Sequence, residues 1–258
     1  MQALLFDCDG VLADTERDGH RVAFNRAFAA LGLDTRWSVE RYGDLLKTAG
    51  GKERMRRHFD ETAWPVTPGE REDLIAELHK TKTTLFMDIV SGGELPLRAG
   101  VARLVDEAIA AAIKIAVCST SNERAVRAII DQLVQDRSRH VALFAGDVVP
   151  KKKPDPAIYL LAARSLGVAP ARCVVIEDSN NGLRAALAAG MHCIITMSSY
   201  TANEDFSGAA KVVPELGDRP NVALSLDDCR LLTERQTPGS DGAMNDILVS
   251  RDPACNKR

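Results

Sequence analysis

Ala3-Leu4-Leu5-Phe6-Asp7-Cys8-Asp9-Gly10 brings four apolar residues straight into two acids two positions apart. A short apolar run bounded by a turn signal reads as a buried strand, here one that delivers a polar loop. Two carboxylates in one tight loop can take separate jobs: one attacks phosphorus, the other shuttles a proton. Gly10 lets the backbone turn sharply beside a ligand. The N–H groups of such a loop can cradle phosphate oxygens. Alone, Asp-x-Asp-Gly also occurs in calcium loops and ordinary turns, so its meaning depends on the residues further along the chain.

Similar apolar runs lie at 113–118, 173–176 and 193–196, each followed by polar or glycine-bearing residues and then a helical pattern. Helices are expected at 123–134, 157–166 and 182–189, with Gly167 and Gly190 as stop signals for two of them. Strands alternating with helices predict an α/β fold with a Rossmann-like parallel sheet covered on both faces. Such sheets bind ligands beyond the carboxyl ends of their strands, and those ends carry Asp7 and Asp9, Ser119, and Glu177 with Asp178. Residues 15–95 differ. Charged amphipathic helical patterns at 18–31 and 68–86, with few strand-like runs, read as a helical insert, and Leu97-Arg98-Ala99-Gly100 as the return from it. The expected organisation is a core domain of residues 1–14 and 96–232, a helical cap of 15–95, and a polar tail of 233–258, flexible or loosely docked.

Three further elements bear on the chemistry. Glu177-Asp178 follows Val174-Val175-Ile176, and adjacent acids at a strand end repel unless a cation or partner compensates. With Asp7 they supply the hard oxygen ligands that Mg²⁺ prefers, although such a pair also suits a helix N-terminus. Lys153-Pro154-Asp155-Pro156 offers a lysine to offset aspartate plus phosphate, while the run Lys151 to Lys153 also fits a solvated basic turn. Ser119-Thr120-Ser121 presents hydroxyls and N–H groups to a phosphate oxygen, or equally caps a helix ahead of Glu123.

Composition narrows the class. With 258 residues, 45% apolar and 27% charged, the chain has room for one large domain or a domain with an inserted partner. A net charge of −3 with interspersed signs disfavours nucleic acid or an anionic membrane as partner. The most apolar helical stretch, around 108–117, is interrupted by Lys114, and the opening apolar run is too short for a signal peptide. The six cysteines include no C-x-x-C pair, so zinc and dithiol redox sites are not expected. They read as small buried hydrophobes of a soluble intracellular protein, with Cys255 exposed in the tail.

Acids, hydroxyl, lysine and acids in this order resemble the four motifs of the haloacid dehalogenase superfamily: Phe6-Asp7-Cys8-Asp9-Gly10-Val11-Leu12, Val117-Cys118-Ser119-Thr120-Ser121, Lys153-Pro154-Asp155-Pro156 and Val175-Ile176-Glu177-Asp178-Ser179-Asn180-Asn181-Gly182. The resemblance implies Asp7 as nucleophile, Asp9 as general acid/base, and Ser119 and Lys153 as a phosphate clamp with Thr120 and Ser121. It implies Mg²⁺ held by Asp7, the Asp9 carbonyl and Asp178, supported by Glu177. The second aspartate argues against a dehalogenase, because halide leaves without a proton. It also argues against transport ATPases, whose motif continues Lys-Thr-Gly-Thr.

Within capped members the chain is similar to the CbbY-type sugar bisphosphate phosphatases. The match is carried by Asp14-Thr15-Glu16-Arg17-Asp18-Gly19-His20-Arg21, Tyr42-Gly43-Asp44, Gly50-Gly51-Lys52-Glu53-Arg54, Leu97-Arg98-Ala99-Gly100-Val101, Cys118-Ser119-Thr120-Ser121-Asn122-Glu123 and Ser199-Tyr200-Thr201-Ala202-Asn203-Glu204-Asp205-Phe206. The implied substrate is xylulose-1,5-bisphosphate, an inhibitory by-product of carbon fixation by rubisco, hydrolysed to xylulose 5-phosphate. The implied compartment is the chloroplast stroma in a photosynthetic eukaryote and the cytoplasm otherwise; the expected state is a monomer. A bisphosphate needs a second anion site, for which Gly50, Gly51, Lys52 and Arg54 are suited by exposed N–H groups and positive charge. His20, Tyr42 and Lys82 would reach sugar hydroxyls or phosphate, with Glu16 and Asn122 near the core–cap junction. Solvated basic face, cap core and exposed helix residue stay open as readings of the Lys52–Arg57 run, Tyr42 and His20. Two rival functions share the motifs: a β-phosphoglucomutase-like sugar phosphate mutase, and a non-catalytic binding protein.

Overall fold

The computed structural model describes residues 1–48 and 50–234. The opening apolar run forms β1 (Ala3–Phe6), wholly buried. A π-helical turn (Thr15–His20) then leads into α1 (Arg21–Ala30), α2 (Val39–Leu45), α3 (Gly51–Glu61) and α4 (Arg71–Ser91). After α5 (Val101–Ala110) come β2 (Lys114–Ser119), α6 (Glu123–Val134), β3 (Val141–Ala145), α7 (Ala157–Leu166), β4 (Cys173–Glu177), α8 (Asn180–Ala188), β5 (His192–Thr196), β6 (Lys211–Val213) and α9 (Leu226–Glu234).

Among the described residues the strands form one six-stranded sheet, parallel throughout, in the order β3-β2-β1-β4-β5-β6. Alternation of side chains along each strand builds two apolar layers. Leu4, Phe6, Val174 and Ile176 pack with α5 and α6 residues on one face, and Ala3, Leu5, Cys173 and Val175 with α7 and α8 residues on the other. β1 lies between β2 and β4, so the chain runs from it toward both edges; that switch point opens a crevice at its carboxyl end. Phe6 is in register with Val117 and Ile176, which brings Asp7, Ser119 and Glu177 to one rim.

Residues 15–91 are helical with intervening loops and gather a separate apolar cluster around Phe24, Phe28, Trp37, Tyr42 and Phe59. The carboxyl half of α4 leaves that cluster, and its Phe86, Ile89 and Val90 join the sheet's own core.

Several expectations shift. β3 and β6 are additional to the expected strands: Val141-Ala142-Leu143-Phe144-Ala145 is an apolar run of the same kind as β1, and β6 has only three residues. The stretch 108–117 is not one helix, because α5 stops at Ala110 and Lys114 already belongs to β2. The helix expected from 182 starts at Asn180, after Ser179 caps it by accepting from the Gly182 N–H. Thr233 and Glu234, assigned to the tail, end α9, and Thr233 is buried; the rest of the tail, Cys255 included, lies outside the described residues. Cys8, Cys118, Cys173, Cys193 and Cys229 are free and buried. No helix among the described residues is long and apolar enough to cross a membrane.

Candidate active site

Asp7 is the first residue beyond β1, and its N–H still bonds the Ile176 carbonyl at 2.9 Å. Gly10, at φ +77°, then turns the loop back, and its N–H closes on the Ala13 carbonyl. A methyl at this position would overlap the Asp178 carboxylate, so the close approach of loop and carboxylate requires glycine.

Lys153 reaches in from the loop before α7. Its ammonium donates to Asp7 Oδ1 at 2.7 Å, Glu177 Oε1 at 2.6 Å and the Cys118 carbonyl at 2.9 Å, over the Tyr159 ring. Burial opposes its charge, but the two carboxylates outweigh burial and hold it above the usual lysine range. Lys151 and Lys152 are exposed, so the solvated-turn reading holds for two of the three lysines.

Glu177, expected to support the metal site, already has hydrogen-bond partners on both oxygens. It is fully buried. Oε1 accepts from Lys153 and, at 2.5 Å, from the Tyr159 hydroxyl, while Oε2 accepts from the Asp178 N–H and the Ser179 hydroxyl. With both oxygens engaged, Glu177 anchors the lysine. Gly182 makes room for it, since any side chain there would collide with the Glu177 carboxyl.

Asp9 sits across the cavity. Oδ1 accepts from the Thr15 hydroxyl at 2.6 Å; Oδ2 accepts from Ser121 at 2.6 Å and from Ser119 at 3.4 Å. Ser119 is buried at the end of β2, and its Oγ accepts the Ser121 N–H. Helix capping falls instead to Asn122, whose carboxamide oxygen accepts from the N–H groups of Arg124 and Ala125.

Asp7, Glu177 and Asp178 bring carboxylate oxygens within 4.8 Å of one another. Against one ammonium they leave two negative charges in a buried place. Burial, then the neighbouring carboxylates, push Asp178 well above the usual range; Asp7 is raised to about 7, mainly by burial, against the pull of Lys153. A small divalent cation with oxygen ligands compensates this excess, so the donor set fits Mg²⁺. Of the three, Asp7 and Asp178 line the cavity without the full set of partners that Glu177 has.

These groups line a cavity of about 410 Å³. Its walls include Asp7, Asp9, Ser119, Thr120, Ser121 and Lys153 from the sheet side, and Glu16, His20 and Leu46 from the helical side. Glu16 accepts from the Tyr42 hydroxyl at 2.5 Å, and Arg54 lies 3.7 Å from the same carboxylate oxygen while bonding the Tyr42 hydroxyl at 3.2 Å. Lys82 donates to His20 Nδ1 at 3.0 Å. An ammonium can only donate, so the His20 proton sits on Nε2. Burial, then Lys82 and Arg54, hold His20 well below its usual pKa, and burial lowers Lys82 to about 8.

Tyr42, Arg54 and Lys82 therefore stand one layer behind the wall. Tyr42, buried, belongs both to the apolar cluster of the helical unit and to the partners of Glu16. The expected Gly50, Gly51 and Lys52 are not on the cavity: Lys52 is exposed on α3, and Gly50 and Gly51 only start that helix. Asn122 lines a separate cleft. Sequence reasoning passed over Thr15, Tyr159, Ser198 and Tyr200 as site residues. Tyr159 sits in an apolar helix and reads as core; Thr15 and Tyr200 stood in quoted segments without any spacing that gives them a role.

A family model described as a haloacid dehalogenase-like hydrolase matches residues 1–190. The chain is 55% identical over 239 residues to the CBBY-like protein of Arabidopsis thaliana, covering 91% of this chain and 75% of the relative. It is 43% identical to Protein CbbY of Rhodobacter capsulatus over 87% of this chain and 97% of that one. Among solved structures, mutant CbbY from Rhodobacter sphaeroides in complex with xylulose-(1,5)bisphosphate superposes with a TM-score of 0.68 at 40% identity, over 88% of this chain and 98% of that chain.

Proposed function

Because the chain belongs to the haloacid dehalogenase-like hydrolase family, we propose that it is a Mg²⁺-dependent phosphatase of a sugar bisphosphate, with xylulose-1,5-bisphosphate as substrate and an aspartyl-phosphate on Asp7 as intermediate. One observation carries this above all. Lys153 is bonded to Asp7 at 2.7 Å, and Asp9 is held by hydroxyls on the same cavity, so a charge-compensated nucleophile and a separately oriented acid face one space. The xylulose-(1,5)bisphosphate bound by the Rhodobacter sphaeroides relative supports the choice of sugar.

Asp7, Asp178 and the Asp9 carbonyl would hold Mg²⁺, which when bound supplies positive charge to the phosphoryl oxygens. Asp7 forms a bond to phosphorus as the bond to the sugar oxygen breaks, and Asp9 gives that oxygen its proton. Ser119, Thr120 and Lys153 hold the phosphoryl oxygens in line, because phosphoryl transfer depends on positioning and charge more than on covalent help. Asp9 then takes a proton from water, the oxygen bonds phosphorus, and Asp7 leaves as a carboxylate. Thr15, which orients Asp9, is the first residue of the helical unit, so the acid is linked to the seating of residues 15–95, read as a cap. His20 Nε2–H and Glu16 face the sugar, and Lys82 and Arg54 add charge for the distal phosphate.

The test is phosphate release, with Mg²⁺ and with chelator, from xylulose-1,5-bisphosphate, ribulose-1,5-bisphosphate, fructose-1,6-bisphosphate, β-glucose 1-phosphate and p-nitrophenyl phosphate. Metal-dependent preference for the first is expected, abolished in a folded Asp7→Asn. Broad slow release removes the substrate assignment; phosphate moved within a sugar and not released favours the mutase.

A further inference from the structure

Arg98 lies where the chain returns from the helical unit to the sheet, and the metal-dependent phosphoryl transfer makes no direct use of it. Its backbone N–H bonds the Leu12 carbonyl at 2.8 Å. Its guanidinium donates to the Gly10 carbonyl, to Thr196 O at 3.3 Å, to Met197 O at 2.6 Å and to Pro214 O at 2.9 Å. One half-buried side chain thus gathers carbonyls from the loop after β1, the end of β5 and the end of β6. These are strand ends, where the ladder stops supplying donors. No carboxylate lies within ion-pair distance of it among the described residues, so its bonding capacity goes to backbone.

Two of those carbonyls flank Asp178. Gly10 presses so closely on the Asp178 carboxylate that a methyl would overlap it. Met197 precedes Ser198, which lines the same cavity as Asp178. We propose that Arg98 is a positioning residue: by tying Gly10 and Met197 together it sets the Asp7–Asp9 loop against Asp178 and fixes the spacing of the Mg²⁺ ligands. The inference rests on the metal-dependent assignment. A planar fork of five donors spread over three nitrogens reaches four separated carbonyls, whereas a lysine ammonium has three donors on one nitrogen and cannot meet all four.

Arg103 provides a matched control. It likewise clamps carbonyls, those of Gly217, Leu216 and Leu224 at 3.0, 3.2 and 2.7 Å, and also pairs with Glu107 at 2.9 Å, but it bonds neither Gly10 nor Met197. The experiment is calorimetric titration of the folded full chain with Mg²⁺, comparing wild type, Arg98→Lys, Arg98→Gln and Arg103→Lys, alongside thermal unfolding in chelator. Outer partners of metal ligands typically tune affinity by about 10–100-fold, so Arg98→Lys is expected to weaken Mg²⁺ about tenfold. Arg103→Lys is expected to lose stability with Mg²⁺ affinity unchanged. Equal Mg²⁺ affinity in wild type and folded Arg98→Lys overturns the proposal, as does equal weakening by Arg103→Lys. If the Arg98 variants do not fold, hydrogen exchange of the Arg98 N–H in the wild type decides. Coupling is reciprocal, so Mg²⁺ must slow that exchange; exchange indifferent to Mg²⁺ overturns the proposal. A wild type that binds no Mg²⁺ removes the metal-dependent assignment itself, and this proposal with it.

Discussion

Glu177→Gln changes one atom of a fully buried group whose four partners all donate in the native arrangement. A carboxamide has one accepting oxygen and a nitrogen that only donates. With nitrogen at the Oε2 position it faces the Asp178 N–H; flipped, it faces the Lys153 ammonium. Either way a buried donor meets a donor, which costs about 1–3 kcal/mol. The substitution also removes one carboxylate from Lys153. Losing a buried charge partner costs about 3–5 kcal/mol when nothing replaces it, but Asp7 still holds the lysine at 2.7 Å, and one carboxylate fewer repels Asp7 and Asp178, so little of that cost remains. The combined expectation is about 1–3 kcal/mol of lost stability, with Lys153 drawn further toward Asp7 and turnover reduced. Urea unfolding followed by circular dichroism, in chelator and again in saturating Mg²⁺, measures it. If Glu177 were a metal ligand instead of the lysine's anchor, the deficit would appear only with Mg²⁺. A loss in chelator smaller than about 1 kcal/mol would refute the reasoning, because the unmet donor alone should exceed that.

Gly10→Ala should fold with about 1–2 kcal/mol of left-handed backbone strain and need at least about tenfold more Mg²⁺ for half-maximal activity, since its methyl displaces Asp178; unchanged metal dependence would contradict this. Lys82, lowered to about 8 among His20, Glu16 and Arg54, should lose its proton as pH rises through about 8. KM for a bisphosphate should then climb while that for p-nitrophenyl phosphate does not. Stability should move the other way: from about pH 8 to 10.5 the unfolded chain holds a proton that the folded chain lacks, so unfolding free energy rises with pH, and Lys82→Met should abolish that slope in pH-dependent urea unfolding. Lys52→Ala, exposed and off the cavity, should leave the bisphosphate-to-monophosphate ratio of kcat/KM unchanged, whereas His20→Ala should lower it; steady-state kinetics on both substrates checks the pair.

The sequence by itself determined the parallel α/β core and its chemical rim. β1, β2, β4 and β5 are short apolar runs buried on both faces, and burial on both faces leaves a mark that local composition carries. Three of these runs, β1, β2 and β4, lead into a site residue, so Asp7, Ser119 and Glu177 were legible as soon as their strands were. β6 escaped because three residues are too short for a pattern, whereas β3, Val141–Ala145, is an apolar run that the same criterion could have found. Tertiary structure alone decided which carboxylate serves which purpose. Glu177 and Asp178 are neighbours in sequence, yet the pleat and the α8 cap turn Glu177 onto Lys153 and Tyr159 and leave Asp178 beside Asp7. The helical wall was also beyond local reading. A basic residue looks alike on an exposed helix face or behind a cavity, and only packing of α1, α3 and α4 separates exposed Lys52 from Lys82 bonded to His20. The bonds that orient the site join residues far apart in the chain, Arg98 to Pro214 and Lys153 to Asp7 among them, and contacts of that kind exist only once the sheet order has brought the strand ends together.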